Sequence, residues 1–270
     1  MYSHLIDVLV PAYNNSQGVK AILAGFEGVK GVRIIVSDDS TEKTATQLIR
    51  NVCSHYSCDY FDGPKMGAIS NWNFLLEKVR SEYFVFVHHD ELIIEHSWLD
   101  KLRTPSKALS KCIHILPYSV QSKDGHWRHH TGAQQSLSHK AFARFLPFWN
   151  YIGPTASFIC PRSALVPFRH ELIWLVDCVW FYECLIRNNQ KIRFHTTPSV
   201  RSYFYAESIT WGGKDMPESK FSIEFMKIKK QFNINYIMPW MLVFAKIVIR
   251  CIFIKNWFKT LVLNFLGMFR

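Results

Sequence analysis

The sequence has neither a G-x-G-x-x-G turn nor a G-x-x-x-x-G-K-S/T loop. These are the two Gly-rich devices that bring backbone amides up to a dinucleotide or a triphosphate, so their absence argues against dinucleotide-dependent oxidoreductases and P-loop NTPases. C-x-x-C pairs are missing too. The seven cysteines, Cys53, Cys58, Cys112, Cys160, Cys178, Cys184 and Cys251, are scattered and odd in number, which predicts reduced, mostly buried thiols in a reducing compartment. The opening MYSHLIDVLVPAYNN has no basic stretch followed by a long apolar run, so no secretory leader is expected and the cytoplasm is the expected location. Acidic residues are scarce at the other end: from Lys220 onward nine basic residues accompany Glu224 alone. Most of the net charge of +11 therefore belongs to the tail.

What is present is an alternation. LIDVLV (5–10), closed by Pro11, and VRIIVSDDS (32–40) are short apolar runs of the length of strands buried on both faces. Between them SQGVKAILAGFEGV starts at a candidate N-cap, Ser16, and puts Val19, Ile22, Leu23 and Phe26 at helical spacing. Ser40 or Thr41 is placed to cap a second helix through TATQLIRNV, and AISNWNFLLEKV (68–79) reads as a third, leading into YFVFVHHDE (83–91). Alternating strands and helices predict an α/β fold, a mostly parallel sheet with helices on both faces. Ligands of such sheets bind outside the carboxyl ends of the strands. The polar clusters PAYNN, SDDST and HHDE all fall there.

Acidic side chains at strand ends suit a divalent metal that in turn holds phosphate. IDVLVPAYNN, VRIIVSDDST, GPKMGAISNWNFLLEKV and YFVFVHHDE, taken in order and with their spacing, resemble the nucleotide-sugar half of family 2 glycosyltransferases of GT-A fold. The resemblance covers about residues 5 to 215. It implies an inverting, metal-dependent hexosyltransferase with a catalytic domain over 1–215, divided into a nucleotide-sugar half (1–104) and an acceptor half (105–215). Pro11, Ala12 and Tyr13 would cradle the base, Asp39, beside Asp38, would accept from its imide, and Lys65 would meet base or diphosphate, with Asn71 and Asn73 at the helix start nearby. For Lys65 a plain surface role stays open, and for Asn73 a packing or capping role. HHDE stands where the family has Asp-x-Asp. His88 then takes the first Asp position, His89 the variable one and Asp90 the second. Asp90, with His88 as a second candidate ligand, would hold Mn²⁺ or Mg²⁺, and an imidazole ligand favours Mn²⁺. The alternative for His88 or His89 is a hydrogen bond to phosphate or a loop. Strand alternation puts His88 and Asp90 on one face and His89 and Glu91 on the other, so the two histidines are not expected to serve one metal.

In the second half, DGHWRHHTG (124–132) holds His126, His129 and His130 without the context of a zinc site and reads as a polar loop. YIGPTASFICPRSAL (151–165) resembles the acceptor-side segment, a Gly-Pro turn followed by a strand. WLVDCVWFYECL (174–185) stands where the family has a Glu-Asp pair, here Val176 and Asp177. The resemblance makes Asp177 the base that takes the acceptor's proton, against a helix N-cap as the structural alternative and Glu183 as a weaker competitor. Ala206 replaces a histidine that relatives carry in a later segment.

Residues 216–270 form a basic, apolar tail. Lys246 and Arg250 interrupt its longest run, at about 2.5 to 3.5 kcal/mol each in a bilayer core. Amphipathic helices lying on anionic lipid are the expected reading, with packing on the domain or on a homodimer partner as the alternative. The expected partners are a nucleotide-sugar donor, a UDP-sugar ahead of dTDP- or GDP-sugars, and a glycan or lipid-linked saccharide acceptor of the O-antigen or capsule type. A peripheral place on the cytoplasmic face of the inner membrane would suit them. Nucleic acid is not expected, because the basic residues interleave with apolar ones. A nucleotide-binding module without catalysis is the second reading.

Overall fold

The structure is a computed structural model that describes residues 4–103, 112–130, 146–148, 150, 152–187, 190–204 and 218–232. Strands β1 (Ile6–Ala12), β2 (Val32–Asp38), β3 (Asp59–Asp62) and β4 (Tyr83–Phe86) alternate with helices α1 (Ser16–Gly25), α2 (Lys43–His55) and α3 (Ala68–Glu77). Then come β5 (Glu91–Ile93), α4 (Trp98–Arg103), β6 (Ile113–Ile115), β7 (Tyr118–Gln121), β8 (Trp127–His130) and β9 (Phe158–Pro161). Helix α5 (Val176–Ile186), β10 (Ile192–Phe194), β11 (Val200–Ser202) and α6 (Glu218–Gln231) complete the order.

Seven strands pair as β10-β6-β9-β4-β1-β2-β3, all parallel except β9, which runs against both of its neighbours. A smaller sheet pairs as β5-β11-β7-β8. Both faces of the large sheet are covered, as parallel pairing requires. Ile6, Val8 and Val10 of β1 pack with Val19, Ile22 and Leu23 of α1, while Leu9 packs with Trp72, Leu75 and Leu76 of α3 and with Trp180 of α5. Asp7 lies fully buried, its carboxylate accepting from the backbone of Arg80 and Ser81 and from Ser81 Oγ, with Arg33 3.6 Å away.

Several sequence expectations change in detail. β1 continues through Pro11 to Ala12. Leu9, which has the same parity as Pro11, accepts from Val87 on the β4 side, so the donor that proline lacks falls where β4 has already ended. The cap of α1 is Asn15, whose Oδ1 accepts from Gly18 N–H, not Ser16. Glu42 stands at the N-cap of α2 with no side-chain cap of its own. Instead Asn14 Oδ1 accepts from the N–H groups of Thr41 and Glu42. β4 stops at Phe86, and residues 88–91 close a turn with Glu91 N–H on the His88 carbonyl. Strand alternation therefore does not sort the two histidines and two carboxylates. The histidine-rich stretch is no loop: residues 127–130 pair with β7, so that His129 meets Ser119 Oγ at 2.7 Å and His130 stacks on Tyr118. The cysteines among the described residues are free thiols, buried except for half-buried Cys58.

Helix α6 shares the core of the α3 and α5 side, with Ile228 fully buried, Phe225 4.6 Å from Phe148 and Phe232 5.1 Å from Tyr182. Among the described residues no helix is long and apolar enough to cross a membrane. The described part of the 216–270 tail thus packs on the domain, while the rest of it, with Lys246 and Arg250, and the departure at Ala206 lie outside the described residues.

Candidate active site

The carboxyl ends of β1, β2 and β4 deliver three loops to one rim. Asn14 ties the first two together: its N–H donates to Ser40 Oγ and its Nδ2 to Thr41 Oγ1, besides the two bonds its Oδ1 accepts. The backbone there takes φ 48°, a left-handed value that asparagine tolerates. Pro11 and Ala12 form the buried floor, Asp39 N–H donates to the Ala12 carbonyl, and Tyr13 stands 53% exposed at the edge.

The two aspartates that end β2 differ. Asp38 is fully buried and its oxygens are engaged, Oδ1 by Ser40 N–H and Oδ2 by Tyr60 OH. Asp39, 6% exposed, accepts from Lys65 N–H at 2.5 Å. Lys65 Nζ caps the carbonyls of Asp38 and Ser40 at 2.8 and 2.7 Å, so this lysine ties the β2 loop down. The chain before it passes so close that a Cβ on Gly63 would lie 2.7 Å from Asp39 Oδ1. The side chains of Asn71 and Asn73 are engaged within the protein. Asn71 pairs with Ser37, and the Asn73 amide brackets the Phe168 backbone and touches His170.

The third loop is the His88–Glu91 turn. Glu91 is buried and its carboxylate gathers four donors: the N–H groups of His88, Thr155 and Ala156, and Thr155 Oγ1. That clamp joins the turn to the Gly-Pro segment of the second half. Burial, with Asp90 alongside, pushes the Glu91 carboxyl up, while the donors pull it down. α1 supports the turn from below, since a Cβ on Gly18 would lie 2.8 Å from the His89 carbonyl oxygen and 2.9 Å from His89 Cβ. Asp90 is held through its backbone, its carbonyl accepting from Tyr203 N–H at 2.7 Å. Its carboxylate makes no hydrogen bond among the described residues.

His88 stacks on Trp72 with ring centroids 5.1 Å apart. The residue is half-buried, but its Nε2 is out of contact with solvent and has no hydrogen-bond partner. Desolvation lowers its pKa, against the pull of Asp90 and Asp177. Asp177 lies in the first turn of α5, two residues past the cap position held by Leu175, so the N-cap alternative does not apply. Its Oδ1 is likewise buried without a partner. Burial raises the Asp177 carboxyl to about 6, with His88 pulling it down and Glu91 and Asp90 pushing it up. Thus His88, Asp90, Glu91 and Asp177, 86 or more positions apart across the two halves, form one electrostatic cluster. Glu183 is outside it, paired with Arg169.

Among the described residues no three His, Cys, Asp or Glu side chains converge as a metal cage. A cavity of about 360 Å³ between the ends of α1 and α2, bordered by Arg33, His55 and Asp59, lies at the opposite, amino end of β2 and β3, away from this chemistry.

Sequence reasoning picked Asp39, Asp90 and Asp177 but gave no role to Asn14, Gly18, Gly63 or the Glu91 clamp. Asn14 and Glu91 stood inside the polar clusters already singled out. Their partners, up to 65 positions away, could not be read from spacing.

A mostly parallel sheet closed by an antiparallel strand, with a small second sheet beside it, is the GT-A fold. The model of the family described as Glycosyl transferase family 2 matches residues 7–171, more than half of the chain, and the chain belongs to that family. Asp177 follows six residues after the matched segment. No curated protein matches the chain. Among solved structures it is similar to TarS 1-349 of S. aureus in complex with UDP-GlcNAc, with TM-score 0.59 and 14% identity over 76% of this chain and 60% of that one. The UDP complex of TarS 1-349 gives TM-score 0.54 and 15% identity over 75% and 61%, and TarS itself 0.56 and 15% over 75% and 37%. The chain thus spans 37% to 61% of the length of these structures, and at such identity the likeness is one of fold.

Proposed function

We propose that the protein is an inverting glycosyltransferase that moves a sugar from a nucleotide-sugar donor, a UDP-sugar first among them, to a hydroxyl of a glycan or lipid-linked saccharide. The observation that carries this reading is half-buried Asp177, whose Oδ1 is out of contact with solvent and unpaired and whose carboxyl is raised to about 6 in the cluster with His88, Asp90 and Glu91. A carboxylate with that pKa is ionised at neutral pH yet more basic than an exposed aspartate, as a general base should be. Asp177 takes the proton of the acceptor hydroxyl as its oxygen bonds to the anomeric carbon. The bond from that carbon to the diphosphate oxygen breaks on the opposite face, which inverts the configuration. At the other end of the rim Asp39 and Tyr13 hold the base, supported by UDP-GlcNAc as the molecule bound in the TarS complex.

The donor set fits a cation held jointly with substrate. Glu91 is spent on its four donors, whereas among the described residues Asp90 offers a carboxylate without a hydrogen bond and His88 a ring nitrogen without a partner. A Mg²⁺ or Mn²⁺ bound by one or two side chains takes the rest of its shell from phosphate oxygens and water, so no protein cage is needed. Once bound it would neutralise the charge developing on the departing nucleoside diphosphate. The basic, apolar tail supports a lipid-linked acceptor at the cytoplasmic face of the inner membrane.

A panel of nucleotide sugars, assayed for release of nucleoside diphosphate with Mn²⁺, with Mg²⁺ and with EDTA, tests the reading. Release from one UDP-sugar that stops on chelation is expected. Release that survives EDTA would remove the metal from the account, and UDP binding without turnover of any donor would favour the non-catalytic module.

A further inference from the structure

Helix α5 has no cap of its own: Leu175 stands at its N-cap and makes no side-chain cap bond. The acceptor comes from far along the chain. Glu224 of α6, 6% exposed, turns its carboxylate to the backbone leading into α5 and accepts from Ile173 N–H at 2.8 Å, Trp174 N–H at 3.1 Å and Leu175 N–H at 3.1 Å. Of these amides only that of Leu175 belongs to the helix end; the other two lie just before it, so the carboxylate pins the short segment from which the helix starts. Glu224 is itself held in place by its helix: Ile228, one turn on, is fully buried, Phe225 packs on Phe148, and Arg169 lies over Phe232 with 5.5 Å to the ring centroid. The first turn of α5 carries Asp177, two residues beyond Leu175. Glu224 lies outside the family-matched segment, 7–171.

We propose that Glu224 is a positioning residue for Asp177: by holding the backbone of residues 173–175, from which α5 starts, it aims the carboxylate two residues on at the rim, so that transfer depends on α6 being docked. The inference rests on the reading of Asp177 as the base. Glu224 touches neither substrate nor the nucleotide side of the rim. Removing it should therefore slow the chemical step and spare donor binding, whereas a general loss of structure would degrade both.

The test uses the full chain as Glu224→Ala and Glu224→Gln, with kcat and donor KM measured on the donor that the panel identifies and UDP affinity measured by calorimetry. Glu224→Ala should lose about ten- to a hundredfold in kcat, the size of effect that a misplaced catalytic group produces, with donor KM and UDP Kd within about twofold of wild type. Glu224→Gln, which keeps an acceptor oxygen, should recover part of the loss. Wild-type kcat in Glu224→Ala overturns the proposal, and so does a parallel loss of kcat, donor KM and UDP affinity. If the alanine variant does not fold, the glutamine variant decides: lowered kcat with unchanged UDP affinity supports the proposal and wild-type kcat overturns it. Transfer that survives in Asp177→Asn is a separate observation and would instead remove the base assignment beneath it.

Discussion

Asp177→Asn should make the protein more stable near neutral pH, as expected of a group placed for chemistry and not for the fold. The carboxyl has an ordinary pKa of 3.8 and is raised to about 6 in the folded state, mainly by burial. Each unit corresponds to about 1.4 kcal/mol, so the ionised side chain burdens the fold by up to about 3 kcal/mol at neutral pH. The sign follows from proton binding. Because the folded state holds this proton more tightly, the stability that goes with the neutral carboxyl is fully present below 3.8 and is lost as pH rises through about 6. Asparagine stays neutral throughout but leaves an amide oxygen where Oδ1 has no partner, which cuts the gain to about 1–2 kcal/mol. At about 2–4 °C per kcal/mol for a chain of this size, the variant should melt roughly 2–8 °C above wild type near pH 7.5. Thermal melts of both proteins from about pH 4 to 7.5 measure the difference, which should close toward the acid end. An asparagine variant no more stable than wild type at the upper pH, or a gap that does not shrink on acidification, would refute the reasoning.

Two other positions give sharp expectations. In Gly18→Ala the new Cβ meets the His89 carbonyl at 2.8 Å; despite the roughly 1 kcal/mol of helix propensity that alanine adds, donor turnover should fall as the 88–91 turn is displaced, and unchanged turnover would contradict the contact. In Glu91→Gln one donor of the clamp must face the new amide N–H₂, at a cost of about 1–3 kcal/mol; a melting temperature equal to that of wild type would show that the clamp contributes nothing.

The parts of the molecule that were legible in the sequence are those whose chemistry is local. Buried parallel strands such as Ile6–Ala12 need apolar residues on both faces, and the helix after β1 repeats Val19, Ile22, Leu23 and Phe26 at the period its inner face requires. β3, with the sequence DYFD, left no such trace, because an edge strand tolerates polar residues and is recognised by its pairing with β2. The rim followed the same division. Asp39, Asp90 and Asp177 were readable because a strand end or a helix start brings its own side chain to the site. His88 was readable as a departure from the family pattern, but its buried nitrogen and its stacking on Trp72 depend on α3, which no motif encodes. The Glu91 clamp and the Glu224 cap were illegible for a related reason: each is a carboxylate serving backbone amides, and backbone amides have no sequence identity to search for.

The central claim is that Asp177 takes the acceptor proton at a rim that holds a nucleotide sugar. It is tested most directly by measuring UDP affinity and sugar transfer side by side in wild type and Asp177→Asn. The account predicts equal UDP affinity and no transfer by the variant; transfer at the wild-type rate with UDP bound equally well would contradict it.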